Sequence, residues 1–260
     1  MTSIREADIC ATAAAQPTGR PPGQLPERIA GLPCHWRTFA IGQDPRWLDL
    51  LIATPADPEA LLDDPAVRER NAREDYMPYW ASLWPACFAL ADVLAREAPW
   101  PPGCAALELG CGVGLLGTAA ARLGMQVCVS DHDAAALAFA ATNARANHAV
   151  VETLLLDWTD AHRVGRRWPV LLAADLLYEK RLVPLLLHAV QHLLEPDGVF
   201  LCASPRRACI DVGVEAFAAA GYRISHKIEP TFLPNAAAVD VHIYTMHPPA
   251  RPTPPTGNSP

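Results

Sequence analysis

The chain has 260 residues, 51% hydrophobic and 19% charged, and its 21 Lys and Arg against 28 Asp and Glu leave a net charge of −7. That length buries a core without disulfide or metal staples, and the acidic balance speaks against a nucleic-acid partner, because phosphate binding draws on Lys and Arg. No apolar run approaches the roughly 18 residues that a membrane helix needs, and residues 1–8 lack an apolar signal core, so the expectation is a soluble cytoplasmic protein with no membrane role. The eight cysteines form no C-x-x-C pair and the histidines no H-E-x-x-H, so neither a disulfide framework nor a metal centre is expected.

Residues 1–28 hold Ala, Pro, Gly and Thr without apolar periodicity, and 247–260 hold six prolines; both are expected as disordered tails. From 29 to 98, a short alternating segment at 37–42 and Pro-punctuated acidic stretches predict short strands and helices in an extension and lid. That extension leads into a helix over 82–97, where Leu83, Ala86, Cys87, Leu90, Val93 and Leu94 recur at helical spacing before Pro99. From 99 to 246 the pattern alternates. Strands are predicted over 105–109, 126–130, 151–156, 170–174 and 199–203, and helices over 115–123, 133–147, 181–194 and 209–221. Two strand-like runs, 222–228 and 239–246, follow without a helix between them. The fold class is therefore α/β: a Rossmann-like, seven-stranded, mostly parallel sheet with a C-terminal antiparallel edge hairpin, plus the N-terminal extension.

The most informative segment is Leu107-Glu-Leu-Gly-Cys-Gly-Val-Gly114, placed where the first strand of the alternating region turns into its helix. Glycines at such a turn let backbone approach a ligand and aim helix N-terminal amides at it. Two ligand classes share this chemistry. Gly112-x-Gly114-x-x-Gly117 matches the dinucleotide pattern G-x-G-x-x-G, with Asp131 at the end of the second strand where a ribose-binding acid belongs. Asp131 serves either reading, since a carboxylate accepts from both ribose hydroxyls.

The longer frame separates the two. E-x-G-x-G-x-G, with Glu108 ending the strand and Gly110 preceding the dinucleotide pattern, resembles motif I of class I methyltransferases that use S-adenosyl-L-methionine (SAM). Four further segments accompany it: Pro78-Tyr-Trp-Ala-Ser-Leu-Trp-Pro85, Val129-Ser-Asp131, Leu156-Asp-Trp158 and Asp175-Leu-Leu-Tyr178. Together they resemble the seven-β-strand protein-lysine methyltransferases, and the Tyr-Trp-x-x-x-Trp-Pro segment is most similar to the branch that methylates the electron transfer flavoprotein β-subunit. The resemblance runs from about residue 36 to 246. It implies that Trp84, Glu108, Gly110, Gly112, Gly114, Asp131, Asp157 and Trp158 bind SAM. It also implies that Asp175 and Tyr178 border the acceptor, and that the partner is a protein with an accessible lysine, the flavoprotein β-subunit being the named candidate.

On that reading Tyr79, Trp80, Trp84 and Tyr178 form a ring of aromatics that desolvates the acceptor amine. Transfer to a small amine or to another protein side chain stays open, as do an NAD-linked oxidoreductase and a non-catalytic SAM-fold binding protein. The oxidoreductase would be expected to carry a Tyr-x-x-x-Lys pair, and Tyr178-Glu-Lys180 has the wrong spacing.

Overall fold

The computed structural model describes residues 5–6, 25–43, 46–97, 100–205, 209–232 and 238–250. The expected tails at 1–28 and 247–260 lie for the most part outside them. Within the described residues, β1 (Arg5–Glu6), β2 (Arg28–Ile29) and β4 (Arg46–Pro55) all pair antiparallel with β3 (Leu32–Gln43). The β3–β4 ladder runs unbroken from Cys34↔Pro55 to Gln43↔Arg46, longer than the short strands expected there. Alternation explains how it packs, because Leu48, Leu50 and Ile52 all turn to the core. A 3-10 turn (Glu59–Asp63) and α1 (Pro65–Glu74) follow, the latter capped by the Asp64 side chain on the Ala66 amide with Pro65 at its first position.

The remainder is the predicted seven-stranded sheet, in the order β10-β11-β9-β8-β5-β6-β7. Its strands are β5 (Ala105–Leu109), β6 (Gln126–Asp131), β7 (Val151–Leu155), β8 (Trp168–Ala174), β9 (Leu194–Pro205), β10 (Arg223–Phe232) and β11 (Ala238–His247). The five strands from β9 to β7 are parallel, and β11 inserts antiparallel between β9 and β10. Side chains of the central strands alternate between two cores. Ala106, Val127, Val129, Val170 and Leu172 meet α2 (Pro85–Glu97), α3 (Leu115–Arg122) and α4 (Ala134–Ala146). Leu107, Leu109, Cys128, Leu171 and Phe200 meet α5 (Leu182–Leu193) and α6 (Ile210–Ala219). No helix among the described residues is long and apolar enough to cross a membrane.

The β3–β4 hairpin lies against the α2–α4 side of the sheet and is fastened there by buried polar groups. On α4, Asn143 accepts from Ala53 N at 2.7 Å and donates to Ala53 O at 3.0 Å, while Asn147 pairs with both Leu51 N and Leu51 O at 2.8 Å. Two side-chain amides one helical turn apart thus take the place of a neighbouring strand along the edge of β4. Asn143 also donates to Val113 O at 2.8 Å, tying the hairpin to the glycine loop. Asp92 on α2 accepts from Gly42 N at 3.0 Å and from Arg96 at 2.9 Å, and Arg96 pairs with Glu229 on β10 at 2.8 Å.

Candidate active site

Strand order reverses between β5 and β8, and a crevice opens there at the carboxyl ends, where ligands bind in open α/β sheets. The glycine loop leaves β5 on one side and Asp175 leaves β8 on the other. Gly110, Gly112 and Gly114 have φ of 59°, 53° and 81°. Cys111 N donates to Ser130 O at 2.9 Å, and Ser130 Oγ donates back to Glu108 O at 2.8 Å, which fixes the loop against β6. Gly112 has a φ that L side chains rarely adopt, and a Cβ there would also stand 3.1 Å from the Trp80 carbonyl oxygen, a tight contact.

Two compartments share a wall of Met77, Tyr79, Gly110, His132, Trp158 and Tyr178. The inner one, about 110 Å³, adds Trp84, Glu108, Gly112, Asp131 and Asp175. The outer one, about 240 Å³, adds Arg70, Tyr76, Asp157, Glu179 and Arg181. Glu108, Asp131 and Asp175 are 2%, 5% and 5% exposed, so three carboxylates are buried around the inner compartment. No Lys or Arg is among its lining residues.

Each carboxylate is held differently. Burial, with Asp131 nearby, pushes Glu108 up to about 8 against the Gly117 amide, and its Oε2 has no hydrogen-bond partner. Asp131 accepts from Gly112 N at 2.9 Å on one oxygen and from Asp133 N at 3.0 Å on the other. Burial raises its pKa, while His132 and the two amides pull it back. Asp175 is a non-glycine residue at φ 62°, a left-handed conformation that costs backbone energy and recurs at functional positions. Its amide donates to Ala203 O at 2.8 Å, which locks that conformation onto β9.

The aromatics form a wall rather than a ring. Tyr79 sits edge to face between Trp84 and Tyr178, with centroid distances of 6.0 and 5.2 Å, and Trp84 Nε1 donates to Tyr79 O at 2.9 Å. Burial pushes the Tyr178 phenol up to about 12, so it stays protonated. Trp80 also lines the inner compartment, with its ring packed on Phe139 at 5.6 Å and its backbone against the glycine loop. Asp157 stands apart from the other predicted cofactor residues in the outer compartment, where its Oδ1 accepts from the Thr159 amide at 2.9 Å and hydroxyl at 2.7 Å. These bonds hold its carboxyl below the ordinary value.

A cavity of buried carboxylates and aromatic rings, with no Lys or Arg in its lining, suits a cation with an apolar body and disfavours a pyrophosphate. Residues 79–233 also match a family model described as lysine methyltransferase. The chain belongs to that family. Protein N-lysine methyltransferase METTL21A of Mus musculus is 34% identical over 130 residues, 47% of this chain and 59% of that one. The electron transfer flavoprotein beta subunit lysine methyltransferase of Danio rerio is 32% identical over 139 residues, 50% of this chain and 51% of that one. The chain thus spans little more than half the length of these curated relatives. Among solved structures, precorrin-6y C5,15-methyltransferase of Geobacter metallireducens GS-15 has a TM-score of 0.51 at 13% identity, covering 61% of this chain and 87% of that one, which shows a shared fold.

Every predicted site residue falls inside the family's matched segment. Those that sequence reasoning missed lie mainly before it. Arg70 and Tyr76 wall the outer compartment from the N-terminal side, and Arg181 does so from the start of α5. Tyr76 carried a faint signal as one more aromatic beside Tyr79 and Trp80; Arg70 carried none.

Proposed function

We infer that this chain is a SAM-dependent methyltransferase that methylates the ε-amine of a protein lysine. The observation that carries this is the inner compartment, whose buried carboxylates and aromatic wall sit at the switch point of the sheet. When bound there, the cofactor supplies an electrophilic methyl group on a sulfonium. Asp131 offers its remaining lone pairs to a ribose diol, the glycine loop gives the close approach, and Trp84 and Trp158 cover apolar faces of the ligand. Glu108, buried beneath the loop, gives up its proton most readily when a positive charge enters the cavity.

Asp175 and Tyr178 handle the acceptor. A lysine amine has a reference pKa near 10.4 and must be neutral to act as a nucleophile. The Trp84–Tyr79–Tyr178 wall strips water from it, which disfavours the ammonium form. Asp175, rigid on its strained backbone, accepts an N–H of the incoming amine and so aims the nitrogen lone pair; orientation of this kind is the main thing a displacement reaction asks of its enzyme. The names of the relatives point to EEF1A and the electron transfer flavoprotein β-subunit as acceptors of those proteins. The bacterial or eukaryotic counterpart of such a protein is the acceptor class to assay first.

The test is Asp175→Asn. Affinity for S-adenosylhomocysteine (SAH) should stay near wild type, while methyl transfer to proteins of a cell lysate, read by labelled SAM and residue-level mass spectrometry, falls by orders of magnitude. Unchanged turnover removes Asp175 from the reaction, and label arriving only on small amines replaces the protein acceptor.

A further inference from the structure

Residues 64–81 cross the outer compartment as a strap, and their contacts converge on one carboxylate. Tyr76 is 8% exposed, and its hydroxyl donates to Asp133 Oδ2 at 2.5 Å while accepting from Trp80 Nε1 at 3.1 Å. Arg70 stacks its guanidinium 3.8 Å from the Tyr76 ring centre and reaches the same Asp133 oxygen at 3.4 Å. The other oxygen of Asp133 caps α4 through the Ala135 amide at 2.9 Å. Asp133's own amide then donates to Asp131 Oδ1, and the Gly112 amide to Asp131 Oδ2. Gly112 in turn lies against the Trp80 carbonyl, which closes a circuit of Tyr76, Asp133, Asp131, Gly112 and Trp80. At the other end of the strap, Arg181 donates to Glu74 O and Asp75 O, both at 3.3 Å, fastening it to the start of α5.

The Asp131 carboxylate is held by two amides, with His132 Nδ1 3.4 Å from Oδ1, and the Tyr76 hydroxyl joins the residue that carries one amide, Asp133, to the residue beside the other, Trp80. Resting on the cofactor reading above, we propose that Tyr76 is a positioning residue for the cofactor site: through Asp133 it holds Asp131 in the orientation that a ribose diol requires. Tyr76 and Arg70 both precede residues 79–233, the segment that the family model matches. Burial, and then the neighbouring Asp133, raise the Tyr76 pKa, so the phenol remains a donor at working pH.

Tyr76→Phe keeps the ring, its burial and the Arg70 stack, and removes only the hydroxyl. SAH affinity, read by calorimetry well below the melting temperature, should weaken about tenfold, the loss expected for one charge-assisted hydrogen bond. The KM for SAM should rise in parallel while kcat at saturation stays within about twofold, a split that a general loss of stability does not produce. The decisive comparison is the same change in an Asp131→Asn background, where it should cost little further because its route of action is already gone. SAH affinity unchanged in Tyr76→Phe overturns the proposal, as does an equal penalty in both backgrounds. Wild-type protein that fails to bind SAH or SAM overturns the cofactor reading itself. If Tyr76→Phe does not fold, Arg70→Gln, which loosens the same Asp133 oxygen, replaces it with the same pattern expected at about threefold.

Discussion

Glu108→Gln should make the free protein more stable and its cofactor complex weaker. The side chain is buried, and burial lifts its pKa from the ordinary 4.5 to about 8. At pH 7 the folded protein therefore keeps a proton on Glu108 that the unfolded chain has already released. The folded state binds more protons than the unfolded between those two values, so this group's contribution to stability is full below pH 4.5 and is lost as pH rises toward 8. From 4.5 to 7 the loss amounts to about 3 kcal/mol at 1.36 kcal/mol per pH unit. Glutamine matches the protonated acid in shape and polarity and has no proton to hold, so it escapes the loss. Thermal unfolding of both proteins from pH 4.5 to 8 should show curves that meet at the acid end and separate by roughly 6 to 10 °C at pH 7. The stabilisation by SAH should shrink in the variant, because the charge that the ligand's ammonium group would draw out is missing. Parallel pH curves would refute the argument, showing that Glu108 is already ionised in the free protein. A stability gain with undiminished ligand stabilisation would leave Glu108 a structural residue under the loop.

Three further outcomes follow from the same geometry. SAM and SAH, added at about 100 times their dissociation constants, should each stabilise the wild type by about 2.7 kcal/mol, and NAD and NADP should not; a response to the dinucleotides would sink the reading of the inner cavity. Asn143→Ala leaves Ala53 N, Ala53 O and Val113 O without their buried partner, so urea unfolding should reveal a loss of about 3 kcal/mol or more, and a loss below 1 would mean that the hairpin is docked by apolar contacts alone. Gly114→Ala would set a Cβ 2.5 Å from Ala140 Cβ at a φ of 81°, so stability should fall by about 3 kcal/mol as α3 is forced from α4; near-native stability would show that the two helices separate freely.

Much of this molecule could be read along the chain because the signals are local. Alternation of short apolar runs with helical periodicity sets out β5 to β11 within a few residues, and the edge hairpin follows from the missing helix before β11. The glycines, Asp131 and Asp175 could be placed at strand ends for the same reason, since a parallel sheet brings all its carboxyl ends to one side.

What the chain alone left open depends on segments that meet from far apart in sequence. The length of the β3–β4 ladder is stabilised by Asn143 and Asn147, some 90 residues downstream, whose amides are unremarkable in the sequence of an ordinary helix. Trp80 reads like its aromatic neighbours, and it lines the inner compartment with Tyr79, Trp84 and Tyr178, yet its ring is also packed on Phe139, a partner that no local spacing announces. Asp157 follows the same motif logic as Asp131, but the turn it caps sets it in the outer compartment, away from the buried carboxylates. The partnership of Tyr76 with Asp133 spans 57 residues and has no spacing to betray it. Periodicity records which face of an element is apolar; which polar group ends opposite which is decided only when the strap, α4 and the glycine loop are packed together and water has left the space between them.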